Sequence, residues 1–142
     1  MGPFGRGAEA TVQWPGTTST VQAPAATAKN AGRVSAPLVV EAANLPVSPE
    51  ADGELHGRWI AVIPNILANA GGVTGSYFEW TQNIQQFTWS EERFLRELAS
   101  RLNIATRATI AKAEHRGVTM REAAFALGIE RVADASHLRG YV

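Results

Sequence analysis

The sequence has 142 residues, 45% of them hydrophobic, with no cysteine and with 13 basic side chains against 13 acidic ones. That length suits one ordinary domain with one core, and the balanced charge excludes an electrostatic pull toward nucleic acid or anionic lipid. Without cysteine there can be no disulfide framework and no thiolate metal site.

No run of residues is long and apolar enough for a bilayer span, and the N-terminus lacks a signal-peptide pattern, so the chain reads as soluble and cytoplasmic, with no membrane partner. Residues 1–28 are rich in Ala, Thr, Gly, Pro, Gln and Ser without a period of 2 or 3.6, and read as a disordered lead. Gly2, Gly5 and Gly7 do not read as a nucleotide loop, because no strand precedes them and no helix follows.

Pattern begins at Pro37-Leu38-Val39-Val40, a β-branched run of the kind found in strands covered on both faces. Ser48-Pro49-Glu50-Ala51-Asp52 then carries a helix start: a hydroxyl cap, proline in the first turn, acids near the positive end of the dipole. Gly57 stops that helix, and Trp59-Ile60-Ala61-Val62-Ile63 reads as a second strand bounded by Pro64. Strand, short helix, strand predicts a right-handed crossover with parallel pairing.

Beyond the glycine-rich stretch Asn69 to Trp80 the chain turns helical. Thr88 to Glu91 fits a capping box leading into a helix with Phe94, Leu95, Leu98, Leu102 and Ala105 inward, and with Glu92–Arg96 and Glu97–Arg101 paired on its outer side. Gly117 is a C-terminal cap, and Thr119 to Glu122 repeats the box for a last helix burying Ala124, Leu127, Val132 and Leu138 and ending near Gly140. Tyr77, Phe78 and Trp80 read as core, and His56, His115 and His137 as surface or cap residues at no ligand spacing.

The blocks Val39-Val40-Glu41-Ala42-Ala43-Asn44, Pro49-Glu50-Ala51-Asp52, Ile66-Leu67-Ala68-Asn69-Ala70-Gly71-Gly72-Val73 and Ser76-Tyr77-Phe78-Glu79-Trp80, with Glu130-Arg131-Val132-Ala133 later, resemble the cofactor domain of glutamate dehydrogenases in order and spacing. The resemblance runs from about Lys29 to Val142. It implies an α/β fold, the second half of a doubly wound parallel sheet followed by three long helices, and NAD- or NADP-dependent oxidative deamination of L-glutamate to 2-oxoglutarate and ammonia.

Asn44 lies just past the first strand, where open parallel sheets place their ligands, and its amide both donates and accepts. From position alone it could equally satisfy its own turn; the resemblance implies cofactor binding. Asn69 stands in the same relation to the second strand and would otherwise read as a helix cap; the resemblance implies a nicotinamide-side contact, with Gly71-Gly72 leaving room for a flat ligand. Val73 and Ser76, three apart, share a helix face. The resemblance implies that the Ser76 hydroxyl meets the substrate's side-chain carboxylate while Val73 shapes the wall; the alternative is a buried serine bonded back to the preceding turn.

Three positions depart from the family's usual pattern: Ala42 in place of glycine, Gly75 in place of a valine or similar residue, and Asn65 in place of aspartate. The family's phosphate loop and its catalytic lysine and carboxylate have no counterpart, since the only lysines are Lys29 and Lys112. The expectation is therefore a fragment, from a frameshift, a contig edge or a late start codon, that is inactive alone and belongs to a homo-oligomer in its full-length form. Two other readings stand beside it: a non-catalytic helical module that associates with dehydrogenase subunits, and a piece of a leucine, phenylalanine or valine dehydrogenase. Against the last, a pocket for an aliphatic side chain would leave the Ser76 hydroxyl unpaired.

Overall fold

The computed structural model describes residues 10–14, 17–21 and 25–141, with side chains from Ala25 to Tyr141; the reading of Gly2, Gly5 and Gly7 lies outside them. The chain divides into two compact units, Met1–Asn69 and Ala70–Val142.

In the first unit β3 (Leu38–Val40) pairs in parallel with β4 (Ala61–Ile63), in the register Leu38↔Ala61, Val39↔Val62, Val40↔Ile63. Helix α1 (Pro49–Gly57) connects them, with Ser48 as the expected cap accepting from the Ala51 N–H at 3.3 Å and Pro49 in the first turn. The core joins Ala26, Ala31, Val34, Val47, Ala51, Leu55 and Ile60, against which Val39 and Val62 pack. Burial on both faces of the strands is not what the structure shows: Leu38 and Val40 are about half exposed, because two strands alone present one face without cover.

Trp59 is not in a strand. It occupies the left-handed region at φ 60° and is 93% exposed. Its N–H donates to the His56 carbonyl and the Ile60 N–H to the Leu55 carbonyl, so the orphan carbonyls of α1 are closed by this turn and β4 starts only at Ala61.

The lead differs from the expectation in two places. Ala10–Trp14 (β1) pairs antiparallel with Thr17–Val21 (β2), two runs dense in β-branched residues that the absence of a clear period concealed. Downstream, Ala25 and Ala26 are buried, Ala26 bridges Val47 in parallel, and the N–H groups of both alanines donate to the Pro46 carbonyl. Regular packing therefore begins before Lys29. Next, a 3-10 turn over Ala31–Arg33 is held by the Arg58 guanidinium, which donates to the carbonyls of Ala31 and Val34, both at 2.7 Å.

The second unit is helical: α3 (Ala70–Gln85), α4 (Glu91–Arg116) and α5 (Met120–Leu138). Phe78 centres the α3 side of its packing, meeting the Trp89 ring at 5.2 Å and the Phe94 ring edge-on at 5.6 Å. Of the three aromatics expected in the core only Phe78 is buried, while Tyr77 and Trp80 are each 57% exposed.

The cap of α4 is Ser90, accepting from the Arg93 N–H, so the helix begins two residues later than the Thr88 box predicts. The Trp89 N–H is already taken by the Gln82 side-chain carbonyl at 2.6 Å, which holds the chain out of helix there. Glu92–Arg96 forms at 3.5 Å, while Glu97 and Arg101 make no ion pair among the described residues. Gly117 closes α4 at φ 63°, and both halves of the Thr119–Glu122 box are present on α5. Leu95, Val132 and Leu138, expected inward, are exposed.

Candidate functional site

Two features of the first unit build the site at the carboxyl ends of β3 and β4. One is Glu41, immediately after β3 and 1% exposed, whose carboxylate accepts the Asn65 N–H at 2.7 Å. Its own N–H donates to the Ile63 carbonyl, so one residue ties together the ends of both strands and the start of helix α2 (Asn65–Ala68). Asn65 is buried in turn and caps locally, its side-chain oxygen accepting from the Ile66 N–H at 2.7 Å.

The other feature stands on that base. The Asn69 side-chain amide donates to the Asn44 side-chain carbonyl at 2.7 Å, so the structure brings together the two asparagines singled out in the sequence. Neither the Asn44 amide N–H groups nor the Asn69 side-chain carbonyl has a partner among the described residues. A donor and an acceptor are thus left side by side at the strand ends. Leu45, next in the chain, is held at φ 50°, which costs a residue with a Cβ roughly 1 kcal/mol. Ala42 is not among the residues of positive φ, so alanine in place of glycine is unstrained there.

In the second unit Val73 and Ser76 lie on one face of α3, both exposed. Thr74 and Thr81 donate back to the carbonyls of Ala70 and Tyr77, one turn earlier, but Ser76 does not, and its hydroxyl has no partner among the described residues. The buried, back-bonded serine weighed as an alternative is absent.

Gly71 and Gly72 belong to the first turn of α3, not to a tight turn. A Cβ at Gly72 would meet nothing within 4 Å, and one at Gly71 would make an ordinary 3.8 Å contact with Leu102. Neither helix geometry nor packing therefore requires these two glycines. Gly75 is different: a Cβ there would stand 3.2 Å from the Phe94 ring, so this glycine admits close packing of α4.

Sequence reasoning passed over Glu41 and Asn65 as organisers. The signal available was a glutamate closing an apolar strand, where burial obliges a carboxylate to find donors. Lys112 is also more than an outer-face residue. Its side chain is 14% exposed and donates to both Glu130 carboxylate oxygens at 2.6 and 2.7 Å, with Arg116 at 3.6 Å from the same group. These contacts, the Lys112 hydrogen bond foremost, hold the Glu130 carboxyl below its ordinary range. Among the described residues no group of three His, Cys, Asp or Glu side chains could hold a metal ion, and no helix is long and apolar enough to cross a membrane.

Comparison with known proteins gives a consistent set of likenesses. The family description Glutamate/Leucine/Phenylalanine/Valine dehydrogenase matches residues 17–140, starting upstream of Lys29. The chain is 49% identical over 114 residues to NAD-specific glutamate dehydrogenase A of Halobacterium salinarum, covering 80% of this chain and 26% of that protein. Against NAD-specific glutamate dehydrogenase of Staphylococcus aureus (strain COL) it is 45% identical over 115 residues, covering 81% and 28%. Among solved structures, glutamate dehydrogenase from Peptoniphilus asaccharolyticus aligns with a TM-score of 0.81 at 36% identity, over 86% of this chain and 31% of that one. The leucine-bound hetero-hexameric glutamate dehydrogenase from Thermus thermophilus aligns at 0.77 and 36%, over 81% and 28%. The chain spans about a quarter of the length of the curated relatives it matches.

Proposed function

The chain belongs to the Glutamate/Leucine/Phenylalanine/Valine dehydrogenase family, and we propose that it serves as part of a nicotinamide-dinucleotide-dependent glutamate dehydrogenase. The reaction is the oxidative deamination of L-glutamate to 2-oxoglutarate and ammonia, in an oligomeric enzyme. The dinucleotide, when bound, takes up the hydride; this chain's own residues bind and orient. NAD is favoured over NADP because the relatives at 49% and 45% identity are named as NAD-specific.

In this reading Asn44 and Asn69 bind the cofactor. The observation that carries it is their mutual 2.7 Å hydrogen bond, which leaves one amide donor and one carbonyl acceptor free at the ends of two parallel strands. A primary carboxamide such as that of nicotinamide offers the complementary acceptor and donor. Val73 and Ser76 serve the substrate, the free hydroxyl donating to a carboxylate and the valine setting the wall.

Alone, the chain is proposed to be inactive, because the only lysines are Lys29 and Lys112 and the second is committed to Glu130. Neither is placed to activate water.

Mixing the purified chain with the part of the Halobacterium relative that precedes the matched quarter tests this, with NAD reduction by glutamate followed optically. Activity is expected only in the mixture, with Asn69→Ala and Asn44→Ala raising the KM for NAD and Ser76→Ala raising the KM for glutamate. Turnover by the chain alone, or an NAD affinity indifferent to both asparagine variants, overturns the reading.

A further inference from the structure

An open cleft of about 350 Å³ runs beside the last two turns of α3 and the turn that follows, lined by Glu79, Gln82, Asn83, Gln86, Phe87 and Thr88. Glu79, Gln82 and Asn83 share one helix face, since they stand three and four residues apart. Gln82 is spent on structure, donating to the Phe78 carbonyl and accepting from the Trp89 N–H. The other polar side chains are not: the Glu79 carboxylate, the Asn83 and Gln86 amides and the Thr88 hydroxyl have no partner among the described residues. Thr88 is left over because Ser90 took the cap of α4.

We propose that this cleft binds a small linear diamine, a molecule with two primary ammonium groups joined by a short alkyl chain. Its charges and dipoles all favour a cation. Glu79 is the only charged residue of the lining and of α3. The cleft stands at the C-terminal end of the helix, where the dipole is negative, and α3, unlike α4 and α5, has no basic residue in its last turn to complement that end. The carbonyls of Ile84 and Gln85 accept no hydrogen bond among the described residues, and amide and hydroxyl oxygens accept from N–H donors as well. Phe87, 58% exposed, adds an aromatic ring, which attracts cations and packs on alkyl chains.

Size and spacing select the diamine. The volume lies at the lower end of the range for small-molecule sites and far exceeds the roughly 30 Å³ that one water occupies, so a bare ion would leave it filled with solvent. Along the helix axis Glu79 and Gln86 are about 10 Å apart, and the side chain of Glu79 leans toward the N-terminus. One ammonium group therefore does not reach both the carboxylate and the carbonyl end of the helix. Two on one short chain meet both, with the methylenes against Phe87. A ligand with a single ammonium, including the lysine side chain of a partner protein, leaves one end unused. Neither Val73 nor Ser76 lines the cleft, so the proposal stands apart from the dinucleotide and substrate reading.

Titration of putrescine into the isotope-labelled full chain at constant ionic strength, followed by NMR, is the test. The side-chain amide signals of Asn83 and Gln86 are expected to move saturably in the millimolar range. The corresponding diol should leave them in place, and n-butylamine should bind roughly tenfold more weakly or worse. Glu79→Gln keeps the shape and removes the charge, and should weaken putrescine roughly tenfold or more; Phe87→Leu should weaken it severalfold. Glu114→Gln, at an exposed carboxylate of α4 outside the cleft, should leave binding unchanged. Circular dichroism establishes that each variant folds, and should Glu79→Gln not fold, Phe87→Leu and the three ligands on wild type decide. The proposal is overturned by the absence of saturable shifts, by an equal response to the diol or to n-butylamine, by binding indifferent to Glu79→Gln, or by equal weakening in Glu114→Gln.

Discussion

Gly75 faces Phe94 so closely that a Cβ at position 75 would stand 3.2 Å from the ring's outermost carbon. From sequence, a glycine inside a helix reads only as a cost, since it lowers helix stability by about 1 kcal/mol relative to alanine. Here it also admits the Phe94 ring, which stands edge-on to Phe78. Gly75→Val should therefore destabilise the chain by roughly 1 to 3 kcal/mol through overpacking. Phe94→Leu in the same chain should recover part of the loss, a coupling of at least about 0.5 kcal/mol. Urea unfolding of the two single variants and the double variant measures it, and strict additivity would count against the contact.

Trp89 makes a contrasting case. Its ring packs on Phe78 and under the Arg93 guanidinium at 4.3 Å, yet its indole N–H is buried with no partner. A buried donor left unpaired costs about 1 to 3 kcal/mol, which offsets much of what the larger ring gains by burial. Trp89→Phe is thus expected to change stability by less than about 1 kcal/mol, whereas Phe78→Ala should lose about 3 to 5 kcal/mol. Thermal melts compare them, and a severe loss in Trp89→Phe would refute the unpaired donor.

Glu41 sets the height of the asparagine pair. Removing its carboxylate strands the Asn65 N–H, so Glu41→Ala should cost about 2 to 3 kcal/mol, in the range for hydrogen bonds to charged groups. Glu41→Gln keeps an acceptor and should cost less. In both variants the amide signals of Asn44 and Asn69 should move in NMR spectra, Glu41→Ala moving them more. Unmoved signals would separate Glu41 from the site.

Acid should loosen the α4–α5 contact. The Glu130 carboxyl is held below its ordinary value of 4.5, chiefly by the Lys112 hydrogen bond. A depressed folded-state value contributes stability that is fully present above 4.5 and lost as pH falls below it through the folded value. Wild type should therefore melt above Glu130→Gln at neutral pH, with the two converging in acid. A gap that persists at the lowest pH would show that the carboxylate's charge is not what matters.

The crossover was legible because β-branched runs flank a well-marked helix start at Ser48-Pro49, and the end of α4 because Gly117 has one conformational use. Asn44 and Asn69 could each be picked out by standing after a strand, yet their bond to each other depends on the register Val40↔Ile63, which no local signal fixes. Thr88 misled because a capping box is a pattern of four residues, while the Gln82 bond that excludes it comes from seven residues upstream. Leu95, Val132 and Leu138 misled for another reason: periodicity says which residues share a face, and only the neighbouring elements decide whether that face is covered.

Arg58 reaches from the end of α1 to the carbonyls of Ala31 and Val34, residues 27 and 24 positions earlier. The 3-10 turn is closed by its own Val34 N–H to Ala31 carbonyl bond, and Arg58 adds a tie from that turn to the end of α1. In hydrogen-exchange terms the amides around Ala31 and those at the end of α1 should open as one cooperative unit, so that neutralising a single guanidinium exposes both segments to solvent together.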